Sequence, residues 1–376
     1  MQNLISHLRA KRLYPKPNNY SYFLCFFSSS VSSTRTSTPT SNSSISNFLI
    51  ETLAFSQPQA VSISNRFPSG KSLEKPHSVV QFLKQLDFSD AHIRSSIRRS
   101  PEILFSDVDK TLKPKVQFFE GLGFTGPDLG NFISTHPRAL LYSLERTLIP
   151  CVDIIKKTLV KDKNNQDLIQ VLQRSHWGSS ASRLKCNIAF LESCGLVGSQ
   201  LSMLLKKQPR LFFISETALR DLLSRVLDMG FSVDSGMFVH AVSTVGGMSA
   251  ETFSRKFELF RSFGFSEEEC MDMFRRAPML LAVSEGKLKL GMEFFLYDVK
   301  LERSALVSWP TCLTYSMGER VLPRYRVLQV LKCKRLLKKE PILNVLVLTE
   351  EKFLEKFISR FRDDAEDLLV AYKGDP

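Results

Sequence analysis

Residues 259–282 read LFRSFGFSEEECMDMFRRAPMLLA, and this stretch contains every part of a unit that recurs along the chain. An apolar-periodic helix is predicted to close at Gly264, because glycine readily adopts the left-handed conformation that ends helices. Ser266 and Glu269 have the spacing of a capping box, so a second helix is predicted to begin there. Pro278 must stop that helix, since proline lacks a backbone N–H and restricts the residue before it. The stretch therefore predicts two helices, a proline and a short apolar segment.

The proline phrase recurs along the chain as a basic or polar pair, a proline and an apolar doublet or triplet. The copies are IRRSPEILF (97–105), ISTHPRALL (133–141), LKKQPRLFF (205–213), FRRAPMLLA (274–282), VSWPTCLTY (307–315) and LKKEPILNV (337–345). Two of the gaps between successive prolines are double, and His176 and about Val245 stand there in place of proline. Eight units therefore span the 240 residues from Pro101 to Pro341, with a mean step near 34.

A second phrase, an apolar helix end followed by Gly-Phe or a close relative, precedes most copies of the proline phrase. Apolar residues recur with helical period, whereas strand-like alternation is rare. The repeat predicts an all-α helical-repeat solenoid in which each helix pair buries its apolar face on its neighbours. About eight units are expected to end near 105, 141, 180, 213, 249, 282, 315 and 346, followed by a closing helix at 350–374.

The first 47 residues differ in composition from the rest. They contain no Asp or Glu, five basic residues and twelve Ser. An acid-free, Arg- and Ser-rich start is typical of an organellar transit peptide, and a disordered tail is the alternative. We therefore predict a disordered transit peptide at 1–47 and the repeat array at 48–374. Without these residues the formal net charge falls from +13 to +8, so the remaining chain is still basic.

The recurring pattern FL..LGFS…I…..P.LL resembles the mitochondrial transcription termination factor (mTERF) family. The block LPRYRVLQVLKCKRLLKKEPILNVL (322–346), with EKFLEKFISRF (351–361) and LLVAYKG (368–374), is similar to the closing module of plant members. The resemblance covers about 45–374. It implies units of two α-helices plus a short 3₁₀ helix after the proline, stacked into a curved superhelix. It also implies nucleic-acid binding in organelles, in transcription termination or initiation, transcript processing or intron splicing.

Basic residues recur beside the prolines, and equivalent positions of a solenoid line up along one face. A ladder of Lys and Arg matches the repeating phosphates of a nucleic acid and releases their counterions. The alternative is a solvated face in which the cations only complement the helix dipole. The candidate nucleic-acid-binding residues are Arg98, Arg99, Arg138, Lys206, Lys207, Arg210, Arg275, Arg276, Arg324, Arg326, Lys334, Arg335, Lys338 and Lys339.

Catalytic and metal-binding motifs are missing from the sequence. The seven cysteines form no CxxC pair, and the six histidines are scattered without HxxxH spacing. Gly121, Gly123 and Gly126 match G-x-G-x-x-G, but a helix precedes them where a dinucleotide site needs a strand. No apolar run approaches the length of a membrane span. We therefore predict a non-enzymatic monomer without cofactor, metal or membrane partner.

The predicted function is organellar nucleic-acid binding, to DNA or RNA, that regulates transcription termination or RNA processing such as intron splicing. Other organellar expression factors are possible further partners. A protein–protein scaffold in an organellar expression complex is the alternative from another class. Arg9, Lys11 and Arg12 follow an early apolar face and favour the mitochondrion, whereas the Ser-rich stretch 28–46 suits a chloroplast equally well.

Overall fold

A computed structural model describes residues 43–160, 162, 164–175, 181–337 and 341–374 of the chain. Across these residues it contains 20 α-helices and no β-strand, which confirms the predicted all-α repeat fold. The chain divides into two compact bodies, and the division between Leu219 and Arg220 falls within the helix Glu216–Asp228.

The helices of the first body are α1 (Ser43–Leu53), α2 (Gln57–Ser64), α3 (Glu74–Gln85), α4 (Asp90–Arg99), α5 (Lys113–Leu122), α6 (Gly126–Thr135), α7 (Ile149–Thr158), α8 (Gln166–Arg174), α9 (Ala181–Ser193) and α10 (Ser199–Lys207). After α11 (Glu216–Asp228), the second body contains α12 (Phe238–Gly246), α13 (Ala250–Ser262), α14 (Glu267–Arg276), α15 (Glu285–Glu293), α16 (Arg303–Ser308), α17 (Leu322–Cys333), α18 (Ile342–Leu346), α19 (Glu350–Leu354) and α20 (Ala365–Lys373). Short 3₁₀ helices cover Pro101–Phe105, Pro137–Leu140, Pro209–Phe213, Pro278–Ala282, Pro310–Thr314 and Arg362–Asp364, and π-helical turns cover Val108–Leu112, Leu144–Leu148, Phe294–Asp298, Met317–Val321 and Glu355–Ser359.

The turn between the two helices of a unit is closed by a left-handed residue. Gly264 has φ 84°, and the N–H of Phe265 donates to the carbonyl of Phe260, five residues earlier. The same left-handed glycine occurs at Gly123, Gly195 and Gly230, as the sequence predicts. A backbone N–H that reaches back five residues is the mark of a Schellman motif. This motif fixes where these four first helices end.

A proline stops the second helix of a unit and starts a 3₁₀ turn. In five units the 3₁₀ helix begins on the proline itself, as the family resemblance implies. The preceding residue has left the helical conformation in each case; Ala277 before Pro278, for example, has φ −142° and ψ 78°. Its carbonyl accepts a hydrogen bond from the N–H of Leu280 at 2.9 Å. Helix two therefore ends at the same place in these five units.

Buried polar side chains of the first helices satisfy the carbonyls of the short segments. Lys115 Nζ donates to the carbonyl of Leu140 at 2.6 Å, and Asn187 Nδ2 donates to that of Phe212 at 3.0 Å. Lys256 Nζ donates to the carbonyl of Val283 at 2.7 Å. Burial lowers the pKa of the Lys115 ammonium. A buried charge is tolerated only with such partners, so these side chains hold the 3₁₀ segments onto the first helices.

Three details of the predicted organisation are wrong. The expected boundary at residue 47 falls inside α1, whose Ile45 is fully buried, so residues before 48 already belong to the packed array. The expected closing helix at 350–374 is broken near Phe361, whose φ of −105° and ψ of 69° are not helical. Pro341 precedes the short α-helix α18 and not a 3₁₀ turn.

The two units without proline have different outcomes. Helix α12 runs through Val245 and ends at Gly246, because no proline stops it. His176, which stands in place of the proline of its unit, lies outside the described residues. So do the expected unit end near 180 and residues 1–42 of the predicted transit peptide.

Candidate nucleic-acid interface

Four arginines from the ends of four successive units line one cleft in the first body. Arg99 and Arg174 are the last residues of α4 and α8, and Arg138 and Arg210 directly follow Pro137 and Pro209. We call this site, lined by Arg99, Arg138, Arg174 and Arg210, the four-arginine cleft; its volume is about 470 Å³. No carboxylate lines it among the residues that the structure describes. The cleft therefore carries four positive charges that no Asp or Glu in its lining offsets.

Two of these arginines are anchored to the backbone of the next unit. Arg99 Nη1 donates to the carbonyl of Thr135, the last residue of α6, at 3.0 Å. Arg174 donates from Nη1 to the carbonyl of Lys206 at 3.1 Å and from Nη2 to that of Lys207 at 2.9 Å. The last carbonyls of a helix lack intrahelical partners and carry partial negative charge, so a guanidinium is well placed there. The two side chains are thus held in place while retaining their charge.

Arg138 and Arg210 are the available donors of the cleft. Both are exposed, and neither side chain makes a hydrogen bond or ion pair with the part of the chain that the structure describes. Each sits in the first turn of a 3₁₀ helix whose apolar residues are buried, which fixes its backbone. A guanidinium presents five N–H donors in a fork that fits a phosphate.

The remaining predicted residues of the first body are not gathered into the cleft. Arg98 is exposed and lines a separate pocket of about 260 Å³ together with Arg94. Lys206 forms an ion pair with Asp167 at 3.2 Å, and Lys207 is half-buried. The stripe that the sequence predicts is therefore partly used for contacts within the protein.

In the second body, Arg275 and Arg276 end α14 but differ in their contacts. Arg275 donates to the carboxylate of Asp272 at 2.6 Å and to the carbonyl of Met229 at 3.3 Å. Arg276 is exposed and has no polar partner among the described residues. Of this pair, Arg276 is the one whose donors are available to a ligand.

The prediction for Arg324 is wrong. Its side chain is fully buried in α17 and donates to the carbonyls of Val345 at 2.9 Å and Leu348 at 2.8 Å. It also pairs with Glu350 at 3.0 Å. Arg324 occupies the position that the buried donors Lys115 and Asn187 occupy in earlier units. The role of Arg324 is therefore structural.

The other basic residues near the end of the array differ in availability. Lys334 is held by ion pairs to Asp364, at 2.6 Å, and to Asp367. Arg326 and Arg335 are exposed, and their side chains have no polar partner in the described part of the chain. Lys338 and Lys339 lie outside the described residues.

Arg174 belongs to the cleft but was missed by the sequence reasoning. It lies in a unit without a proline, so no proline phrase marks it. The signal was present, because Arg174 stands two residues before His176, as Arg99 stands two residues before Pro101. Aligning the units on the position that proline occupies would have identified Arg174.

Comparison with known proteins agrees with the repeat. The sequence profile of the mTERF family matches residues 80–177, 175–262 and 247–354. The chain belongs to the mTERF family. Together the three matches cover residues 80–354 of this mTERF chain. Across the described residues no helix is both long and apolar enough to span a bilayer.

Two relatives of this mTERF chain are proteins of Arabidopsis thaliana. "Transcription termination factor MTERF8, chloroplastic" is 25% identical over 262 residues, which cover 69% of this chain and 51% of that protein. "Transcription termination factor MTERF4, chloroplastic" is 26% identical over 93 residues, which cover 25% of this chain and 17% of that protein. The chain therefore spans about half the length of the first relative and less of the second.

Proposed function

We propose that this mTERF protein binds organellar nucleic acid through the basic ends of its second helices and thereby regulates gene expression. The observation that carries the proposal is the four-arginine cleft, in which successive units each contribute one guanidinium. Phosphates repeat along a nucleic-acid backbone, so a series of cations at unit spacing can contact several of them at once.

The bound protein acts by occupying its target. The proposed effect is to block a polymerase in transcription termination or to hold a folded RNA during intron splicing. The names of the two relatives connect them with transcription termination, which favours the first of these roles.

The proposed location is an organelle. Both relatives are named chloroplastic, and this favours the chloroplast over the mitochondrion that the early basic residues suggest. The acid-free residues 1–42 have the composition of a transit peptide for either destination. Import of the tagged chain into isolated chloroplasts and mitochondria separates the two.

Crosslinking in isolated organelles tests the function. The tagged chain is crosslinked to nucleic acid, purified under denaturing conditions, and the bound fragments are sequenced. We expect discrete organellar sequences whose recovery falls in an Arg138→Ala/Arg210→Ala variant. A matched control, Lys156→Ala/Lys157→Ala, removes two exposed charges of the first body that lie outside the cleft.

The result that contradicts the proposal is equally concrete. Recovery at background level, together with capture of a partner protein that survives nuclease treatment, would favour the scaffold alternative. Equal losses in the cleft variant and the Lys156/Lys157 control would mean that binding follows overall charge and not the cleft.

A further inference from the structure

The four-arginine cleft also contains groups suited to a nucleobase. Tyr142, half-buried, lines it, and so does Gln173 in the last turn of α8. The ring of His136 is part of the lining too, and it stacks on Phe132 with 5.3 Å between ring centroids. Aromatic faces stack on unpaired bases, and a side-chain amide can both donate to and accept from a base edge.

The size of the cleft limits what enters it. Its volume of about 470 Å³ is in the range of roughly 300–1,000 Å³ that small-molecule sites occupy. One nucleotide fits such a space. Two paired strands can only pass across its mouth, where their bases remain stacked on each other and hidden from Tyr142.

We propose that the cleft takes one unpaired nucleotide of a nucleic-acid strand, and this rests on the proposed function. The phosphate lies between the available guanidiniums of Arg138 and Arg210. The base lies against Tyr142, within reach of the Gln173 amide. The protein therefore prefers an unpaired strand to a duplex of the same sequence.

The anchored arginines explain why such a site needs no rearrangement. Arg99 and Arg174 are fixed on helix-end carbonyls, so they contribute positive potential without losing side-chain freedom on binding. Arg138 and Arg210 need to give up no ion pair within the described residues before they meet a phosphate. Fixed and available cations together make the cleft ready for an anion.

Fluorescence anisotropy with the full chain tests this. Three labelled probes of one mixed sequence are compared at one salt concentration: single-stranded RNA, single-stranded DNA and duplex DNA. We expect at least one single strand to bind about tenfold more tightly than the duplex, as base stacking on an aromatic side chain provides. The RNA and DNA arms decide which sugar the site accepts.

Variants of Tyr142 give the sharper readout. Tyr142→Leu should lose about tenfold in affinity for the preferred single strand while duplex affinity stays within twofold, and Tyr142→Phe should retain both. Circular dichroism confirms that each variant is folded. Two results would overturn the nucleotide pocket and leave the proposed function standing. One is that the duplex binds as tightly as each of the two single strands. The other is that Tyr142→Leu lowers the affinities for the duplex and for the preferred single strand equally. Failure to bind any probe overturns both.

Discussion

Replacing Arg324 with methionine is expected to destabilise the second body by about 3–5 kcal/mol. The guanidinium is fully buried and donates to the carbonyls of Val345, Leu346 and Leu348 at 2.9, 3.3 and 2.8 Å. Methionine fills much of the volume but donates no hydrogen bond. Three carbonyls and the carboxylate of Glu350 would lose the Arg324 donor together, although Arg320 Nη2 still donates to the carbonyl of Leu348.

The magnitude follows from the cost of leaving such groups unpaired. Hydrogen bonds to a charged group contribute about 1.5–3 kcal/mol each, and they are not additive at one site. Arg324 also lies over the ring of Phe353, 4.8 Å from its centroid, which adds a desolvated cation–π contact of about 2 kcal/mol. Partial relaxation and solvation of the exposed Glu350 keep the total within the stated range.

Urea denaturation measures the change, with tryptophan fluorescence as the signal. The chain has two tryptophans, so a Trp177→Phe background leaves Trp309 as the reporter of the second body. Arg326→Met is the matched control because Arg326 lies on the same helix but is exposed. Its stability should change by no more than about 0.5 kcal/mol.

The comparison can refute the reasoning. A loss below about 1 kcal/mol for Arg324→Met, or an equal loss for Arg326→Met, would mean that the buried hydrogen bonds do not hold the closing segments in place.

Three further predictions concern local structure, and each is measured as a change in the free energy of unfolding by urea. Ser266→Ala removes the capping box of α14 and should cost about 1 kcal/mol, whereas a shift below about 0.3 kcal/mol would contradict the cap. Gly264→Ala should cost about 1–2 kcal/mol, because φ is 84° and a Cβ would lie 2.6 Å from Arg303 Nη1; an unchanged midpoint would show that the turn relaxes freely. The hydrogen bond from Tyr372, followed by the contacts of Arg324, lowers the pKa of Glu350 below its ordinary 4.5. The stability that this carboxylate contributes is therefore complete above pH 4.5 and is lost as pH falls through the lowered pKa. Glu350→Gln should make the free energy of unfolding fall less steeply as pH is lowered below 4.5. The same fall in the variant and the wild type would contradict this.

The sequence reveals those parts of the fold that depend on backbone chemistry. Gly264 and Pro278 act through their own φ preferences and missing groups, so their effects can be predicted without knowing any neighbour. The start of α14 at Ser266 is local for the same reason, and the structure forms the full capping box there. These positions determine the repeat.

Burial of individual cations depends on tertiary neighbours and could not be read from the sequence. Arg324 and Arg326 lie two residues apart on one helix, yet the first is fully buried and the second is exposed. Lys206 and Lys334 are neutralised by aspartates 39 and 30 or more residues away in sequence. Spacing predicted the row of basic residues, and only packing decides which of them face solvent unpaired.

The salt dependence of binding by the cleft variant tests the central claim most directly. The slope of log K against log salt is measured for the wild type and for Arg138→Ala/Arg210→Ala with a single-stranded RNA probe. Arg138 and Arg210 hold one phosphate between them in the proposed site, and loss of one phosphate contact lowers the magnitude of that slope by about 0.7, which is the decrease that the account predicts. Lys156→Ala/Lys157→Ala, which removes the same charge elsewhere in the first body, should leave the slope unchanged. An unchanged slope in the cleft variant, with its fold intact, would contradict the account.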